Sequence, residues 1–126
     1  MNGWPCIAFE MSDAEKAYQH MDIEIVERYG DTCEGNILHV WDDGERILHR
    51  CKKCGGYILT QISEFHGIES GDSYYCDRFP VSSPEEARAI NRKYNGFQIE
   101  EDFPEKWMIC DPGRVPHWRE RNENES

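Results

Sequence analysis

Residues 49 to 62 read HRCKKCGGYILTQI, in which two cysteines separated by two residues are followed by two glycines and a run rich in β-branched residues. Such a run predicts a strand, and the glycines before it give the backbone freedom to reverse direction. The cysteines are therefore expected in a turn that leads into a strand. A Cys-x-x-Cys pair there can hold a metal ion, carry electrons as a dithiol or form half of a zinc-hydrolase site.

Two of these chemistries fit the surrounding residues poorly. A thioredoxin-like dithiol opens a helix whose N-terminus lowers the thiol pKa, but no helix is expected after Gly55 and Gly56. Nucleobase deaminases place a proline before the motif and a His-x-Glu upstream, whereas Arg50 precedes this motif and His39 is followed by Val40 and Trp41. The sequence also lacks the His-Glu-x-x-His of metalloproteases. Neither a redox dithiol nor a zinc hydrolase is therefore expected.

The third chemistry, structural zinc, fits better. Cys51-Lys52-Lys53-Cys54 followed by glycine resembles the knuckle of zinc ribbons, in which both thiolates reach one ion and backbone amides turn toward the sulfurs. The resemblance covers about twenty-five residues and implies a structural zinc ion with four ligands.

The other two ligands are sought among the remaining cysteines. Asp43-Gly44 lies between two β-rich runs and predicts a hairpin turn, and the resulting register places Val40 opposite Ile47 and Cys33 beside Cys54. A fourth ligand at Cys76 follows Cys54 at a spacing ordinary for zinc ribbons, and His49 is the alternative. The sequence therefore predicts one zinc ion, with the ligands Cys33, Cys51, Cys54 and Cys76. Cys6 and Cys110 are expected to be buried free thiols.

A zinc site would be coupled to folding. Structural zinc contributes about 10 to 16 kcal/mol of apparent binding free energy. This is comparable to the free energy of unfolding of a typical domain, about 5 to 15 kcal/mol. Chelation is therefore expected to unfold much of the protein.

Two helices and several strands are predicted in the rest of the chain. A capping box at Ser12 and Glu15 begins a helix that a 3.6-residue apolar spacing extends to Gly30. Ser83, followed by proline, begins a second helix. Strands are predicted in GGYILTQIS, SYYCDRFPV, FQIE and KWMIC. The sum is one small α+β domain, residues 1–118, with a mostly antiparallel sheet, two helices and a zinc-knuckle hairpin, followed by a polar disordered tail, residues 119–126.

Charge and composition exclude several partners. The chain has 126 residues and a net charge of −11, so direct nucleic-acid binding and anionic membranes are not expected. No apolar run reaches the roughly 18 residues of a membrane span, and the start of the chain lacks the pattern of a secretory signal. A cytoplasmic location is expected, where six cysteines are thiols or metal ligands rather than disulfides.

An acidic surface set with aromatic residues favours docking on a basic protein. The residues expected to contact that partner lie in one stretch, and they are Glu64, Phe65, Glu69, Asp72, Tyr74, Tyr75 and Asp77. With no catalytic signature, the sequence favours a non-enzymatic inhibitor that neutralises a basic effector such as a nuclease, in the class of immunity proteins and phage-encoded anti-defence proteins. The alternatives are an enzyme with a site assembled from distant residues and a zinc-bearing adaptor subunit of a larger complex.

Overall fold

The strands form one six-stranded antiparallel sheet in the order β1-β2-β3-β4-β5-β6, so each strand pairs with its neighbours in the chain. The computed structural model describes residues 6–31, 44–67, 71–94, 99, 103, 106–111 and 113–119. The predicted α+β class, with an antiparallel sheet and two helices, is confirmed. The elements are a 3-10 helix (Ile7–Glu10), α1 (Ala14–His20), β1 (Ile23–Asp31), β2 (Gly44–Cys51), β3 (Tyr57–Gly67), β4 (Gly71–Val81), α2 (Pro84–Lys93), β5 (Trp107–Ile109) and β6 (His117–Arg119).

Both faces of the sheet are covered by apolar residues. Successive side chains of a strand point to opposite faces, and neighbours on β3 accordingly enter different clusters. Ile58 packs with the 3-10 helix and α1, whereas Leu59 packs with α2 and the residues after it. Residues 46–49 and 58–61 are all buried, so the centres of β2 and β3 are covered on both faces, and the buried residues there include the polar Arg46, His49, Thr60 and Gln61.

The first predicted helix is wrong over its second half. α1 ends at His20, and residues 23–31 form β1, which pairs with β2. The sequence here includes the β-branched Ile23, Ile25 and Val26, which lose side-chain freedom in a helix and favour strands. The N-cap also differs, because the Asp13 side chain, not Ser12, accepts hydrogen bonds from the backbone N–H groups of residues 15 and 16.

The predicted pairing around Asp43-Gly44 is also wrong. Ile47 pairs with Arg28 on one side and with Thr60 on the other, so both edges of β2 are occupied and no edge is left for Val40. The partner strand lies earlier in the chain than the turn signal suggested. Residues 32–43, including Cys33, lie outside the described residues.

Local signals correctly predicted α2. Its N-cap Ser83 accepts a hydrogen bond from the Glu86 N–H at 3.1 Å, and Pro84 opens the helix. The Glu86 carboxylate in turn accepts from the backbone N–H of Ser82 at 2.6 Å. The helix packs on the face of the sheet opposite α1 through Ala87.

The C-terminal part of the chain holds further differences. In the predicted strand FQIE, only Ile99 is described; it is helical, and its carbonyl accepts from the Phe103 N–H at 2.9 Å. The sequence predicted β5 but not β6, in which Trp118 pairs with Met108. Arg119 ends β6, and residues 120–126 lie outside the described residues. Among the described helices, none has the length and apolar character that crossing a bilayer requires.

Candidate metal centre

The Cys-x-x-Cys motif forms the turn between β2 and β3. Cys51 ends β2, and its backbone N–H donates to the Gly56 carbonyl at 2.8 Å, while the Gly55 N–H donates back to the Cys51 carbonyl at 2.7 Å. Gly55 has φ +80°, a conformation that costs other residues free energy because of their Cβ atom. The glycine after the second cysteine therefore closes this tight turn, as the sequence indicated.

The turn between α1 and β1 brings a histidine to the same place. Ile23, the first residue of β1, pairs with Cys51, and the Lys52 N–H donates to the Asp22 carbonyl at 2.7 Å. His20 ends α1 just before this turn. It therefore lies beside the cysteine motif.

Cys6 completes the group from the start of the 3-10 helix. It is fully buried, and its Sγ lies 3.4 Å from the Sγ of Cys54. One ligand atom from each of Cys6, His20, Cys51 and Cys54 lies within 4.8 Å of every other, which is close enough to bind a metal ion. Three elements far apart in sequence thus converge on one point.

The spacing of these atoms fits a tetrahedral ion. With Zn–S bonds of about 2.3 Å and Zn–N bonds of about 2.0 Å, tetrahedral ligand atoms lie about 3.5 to 3.8 Å apart. The Nε2 atom of His20 is buried and has no hydrogen-bond partner among the described residues. A buried nitrogen without a partner is costly, and coordination of a cation would satisfy it.

Thiolate formation differs between two of the cysteines. Burial opposes ionisation of Cys51, but backbone hydrogen bonds from Asp22, Cys54 and Lys53 outweigh it, so the pKa of Cys51 is lowered. Burial raises the pKa of Cys6, and the neighbouring sulfur of Cys54 raises it further. A divalent cation between them would offset the repulsion of the clustered thiolates.

Two of the four ligands predicted from the sequence, the cysteines of the Cys-x-x-Cys motif, belong to this cluster. Cys51 and Cys54 belong to the cluster, and Cys33 lies outside the described residues. Cys76 lies on β4, where its Sγ is 3.1 Å from the Sγ of Cys110. The alternative ligand His49 is buried and its Nδ1 lies 2.8 Å from the Thr60 Oγ1, while burial, Arg78 and Arg28 lower the pKa of His49 to about 4.

Sequence reasoning missed Cys6 and His20 as members of the cluster. Cys6 was expected to be a buried free thiol, and His20 was placed within a long helix. The signal that could have found His20 is the β-branched run from residue 23, because that run forms β1, which pairs with β2 and begins beside Cys51. No local signal marks Cys6, whose position depends on how the 3-10 helix packs.

Six of the seven predicted partner-binding residues lie on β3 and β4. Glu64 pairs with Tyr74, and Phe65 with Ser73. Of the predicted set, the side chains of Tyr75 and Asp77 are described; Tyr75 is half-buried, and Asp77 is 3% exposed. The burial of Asp77 argues against contact with a partner. Glu69 lies outside the described residues.

The acidic residues near β1 are largely paired with basic neighbours. Glu24 lies 3.6 Å from Arg50, and Asp22 lies 3.8 Å from Lys52. Glu27 forms an ion pair with Arg88 of α2. This surface therefore offers less unbalanced negative charge than its sequence suggests.

Comparison with protein-family models, curated proteins and solved structures finds no match.

Proposed function

We propose that this chain is a non-enzymatic acidic binding protein that neutralises a basic protein partner, on a scaffold held together by one structural zinc ion at Cys6, His20, Cys51 and Cys54. The convergence of these four side chains carries the proposal. Three thiolates and one imidazole form a common ligand set of structural zinc sites.

The number of protein ligands supports a structural role. Catalytic zinc keeps one position open for water or substrate, whereas four protein ligands fill the tetrahedral shell. The zinc would supply cross-linking here: it joins the 3-10 helix through Cys6 and α1 through His20 to the turn between β2 and β3.

Charge supports a basic protein as the partner. The net charge of −11 disfavours nucleic acid and anionic membranes, and it speeds encounter with a positively charged protein. The hairpin of β3 and β4 carries Glu64 and Asp72 on its backbone near the turn between the strands. Acidic and aromatic residues on such a hairpin suit docking, in which carboxylates steer and rings anchor.

Elemental analysis tests the metal. Zinc-supplemented protein should contain about one zinc ion per chain, as a site with four protein ligands requires. Protein that folds to the same thermal stability with no metal, before and after chelation, would contradict the structural zinc.

Affinity capture tests the partner. The immobilised chain should recover a basic protein from cytoplasmic extract, with less recovered as salt rises from low to physiological concentration. Glu64→Lys and Asp72→Lys should abolish the capture, whereas Glu85→Lys, which makes the same charge change on exposed α2, should largely preserve it. If the amount of captured protein changes neither with salt nor with charge reversal on the hairpin, the proposed docking is contradicted. Recovery of a fixed multi-subunit complex would favour the adaptor alternative.

A further inference from the structure

A second pair of cysteines lies where β4 meets the end of β5. Asp77 pairs with Ile109, so Cys76 and Cys110 are directly opposite each other, and the Cys110 N–H donates to the Cys76 carbonyl at 2.8 Å. The Cys76 N–H donates to the Asp111 Oδ1 at 2.9 Å. Backbone and side-chain hydrogen bonds therefore fix the two cysteines relative to each other.

Their geometry is close to that of a disulfide. The two Sγ atoms are 3.1 Å apart, and a movement of about 1 Å brings them to the S–S bond length. Directly opposed residues of antiparallel strands have Cα atoms about 4.5 to 5.5 Å apart, within the range of about 4.4 to 6.8 Å that disulfides span. The bond can therefore form without a change in strand register.

The two thiols are not equivalent. The Cys110 thiol donates its hydrogen to the Cys76 Sγ, and Cys110 is 9% exposed whereas Cys76 is half-buried. The hydrogen bond from Cys110, with the nearby charge of Arg78, lowers the pKa of Cys76 against the opposing effect of burial. The same hydrogen bond and burial raise the pKa of Cys110. Cys76 is therefore the more exposed residue and, with its lowered thiol pKa, the better nucleophile.

We propose that Cys76 and Cys110 form a thiol–disulfide exchange site for low-molecular-weight disulfides such as oxidised glutathione, with Cys76 as the attacking and Cys110 as the resolving cysteine. This site is independent of the proposed zinc centre, because the zinc ligands are other residues.

The reaction proceeds in two exchanges. The Cys76 thiolate attacks one sulfur of oxidised glutathione, which forms a mixed disulfide and releases the first glutathione as a thiolate. Cys110 then gives its proton to that thiolate or to solvent and attacks the Cys76 Sγ, which releases the second glutathione. Two protein thiols are oxidised to one disulfide, and one glutathione disulfide is reduced to two glutathione thiols.

The bond would fasten a short part of the sheet. β5 and β6 have 3 residues each, and the described pairing of β4 with β5 consists of two residue pairs. Met108 and Trp118 from these strands pack in the same cluster as the 3-10 helix and α1. Oxidation would therefore stabilise the edge of the sheet that supports the N-terminal residues.

The test uses the full chain, supplemented with zinc and equilibrated in glutathione buffers of rising oxidised fraction. After acid quenching and alkylation, peptide mass spectrometry should find a Cys76–Cys110 disulfide that excess reduced glutathione reverses. Cys110→Ser should instead accumulate glutathione on Cys76, because the resolving thiol is missing. Cys76→Ser should leave Cys110 largely unmodified, and Cys33→Ser should behave like the unaltered chain.

Several results would overturn the proposal. One is a stable mixed disulfide on Cys76 in the unaltered chain, and another is disulfides that join Cys76 to a cysteine other than Cys110. Loss of bound zinc in Cys76→Ser or Cys110→Ser would assign these thiols to the metal instead. The urea midpoint gives a second readout: it should rise on oxidation of the unaltered chain and stay constant in Cys76→Ser, which has no attacking thiol.

Discussion

Removal of the metal should release the N-terminal segment, residues 6–21, from the sheet. This segment contacts the rest of the protein through apolar packing, with Phe9 against Trp118 at 5.6 Å between ring centroids. Two basic side chains also contact it: the Lys106 Nζ donates to the Met11 carbonyl at 3.4 Å, and the Arg78 Nη1 donates to the Met21 Sδ at 3.4 Å. A metal ion bound by the cluster would hold the segment at both ends, through Cys6 and His20.

The free energy gained by apolar burial is smaller than the entropic cost of ordering this segment, so packing alone does not hold it on the sheet. Burial of Phe9 and Met21 contributes about 1.5 to 3 kcal/mol each, and the three buried alanines add about 0.8 kcal/mol each, or about 5 to 8 kcal/mol in all. Ordering about sixteen residues costs about 1 to 2 kcal/mol per residue, or about 16 to 32 kcal/mol. A metal contribution of about 10 to 16 kcal/mol raises the favourable side to about 15 to 24 kcal/mol, which overlaps the range of the ordering cost.

Hydrogen exchange measured by mass spectrometry tests this prediction. Peptides from residues 6–21 should be protected in zinc-loaded protein and lose their protection after chelation. Residues 84–93 of α2 should stay protected, because this helix packs on the opposite face of the sheet, away from the metal ligands. This replaces the sequence-based expectation that chelation unfolds much of the protein. Equal protection of residues 6–21 with and without metal would refute the reasoning, and so would uniform loss of protection throughout the chain.

Two further predictions concern a buried cation and two glycines. Arg46 is fully buried and donates to the Gln61 Oε1 at 2.6 Å and to the Tyr94 carbonyl at 2.7 Å. Arg46→Met should lower the free energy of unfolding by about 3 kcal/mol, because it removes buried hydrogen bonds made by a charged group. A loss below about 1 kcal/mol in urea unfolding would contradict this. Gly55 and Gly113 both have positive φ and open space at the Cβ position, so either change to alanine should cost about 1 to 2 kcal/mol. Only Gly55→Ala should also weaken metal binding, and equal zinc affinity in competition titrations of the two variants would count against a role for this turn.

Elements marked by local chemistry could be predicted from the sequence. α2 follows from Ser83 and Pro84, and β3 from the run after Gly56, because capping and turn preferences act within a few residues. β1 could not be separated from a helix, because Met21, Ile25 and Tyr29 fit a helical spacing while Ile23 and Ile25 fit a strand. Pairing with β2, a tertiary interaction, decides between the two.

The metal centre likewise has one part that the sequence predicted and one part that it did not. The knuckle at Cys51 and Cys54 is local, and its turn is present as the sequence indicated. The packing of the 3-10 helix and α1 on the sheet brings Cys6 and His20 to the cluster. The spacing of residues along the sequence does not predict this packing. The prediction of Cys33 as a ligand depended on the predicted partner strand of β2, and Cys33 lies outside the described residues.

The ligands of a bound cobalt ion test the central claim most directly. Cobalt(II) substituted for zinc in a site with three thiolates and one imidazole gives visible and charge-transfer absorption bands that depend on the ligands. If the proposed site holds the ion, Cys6→Ser, His20→Ala, Cys51→Ser and Cys54→Ser should each alter or abolish the spectrum. Cys33→Ser and Cys76→Ser should leave it unchanged. An unchanged spectrum in Cys6→Ser and His20→Ala, with loss of the bands in Cys33→Ser, would contradict the site described above.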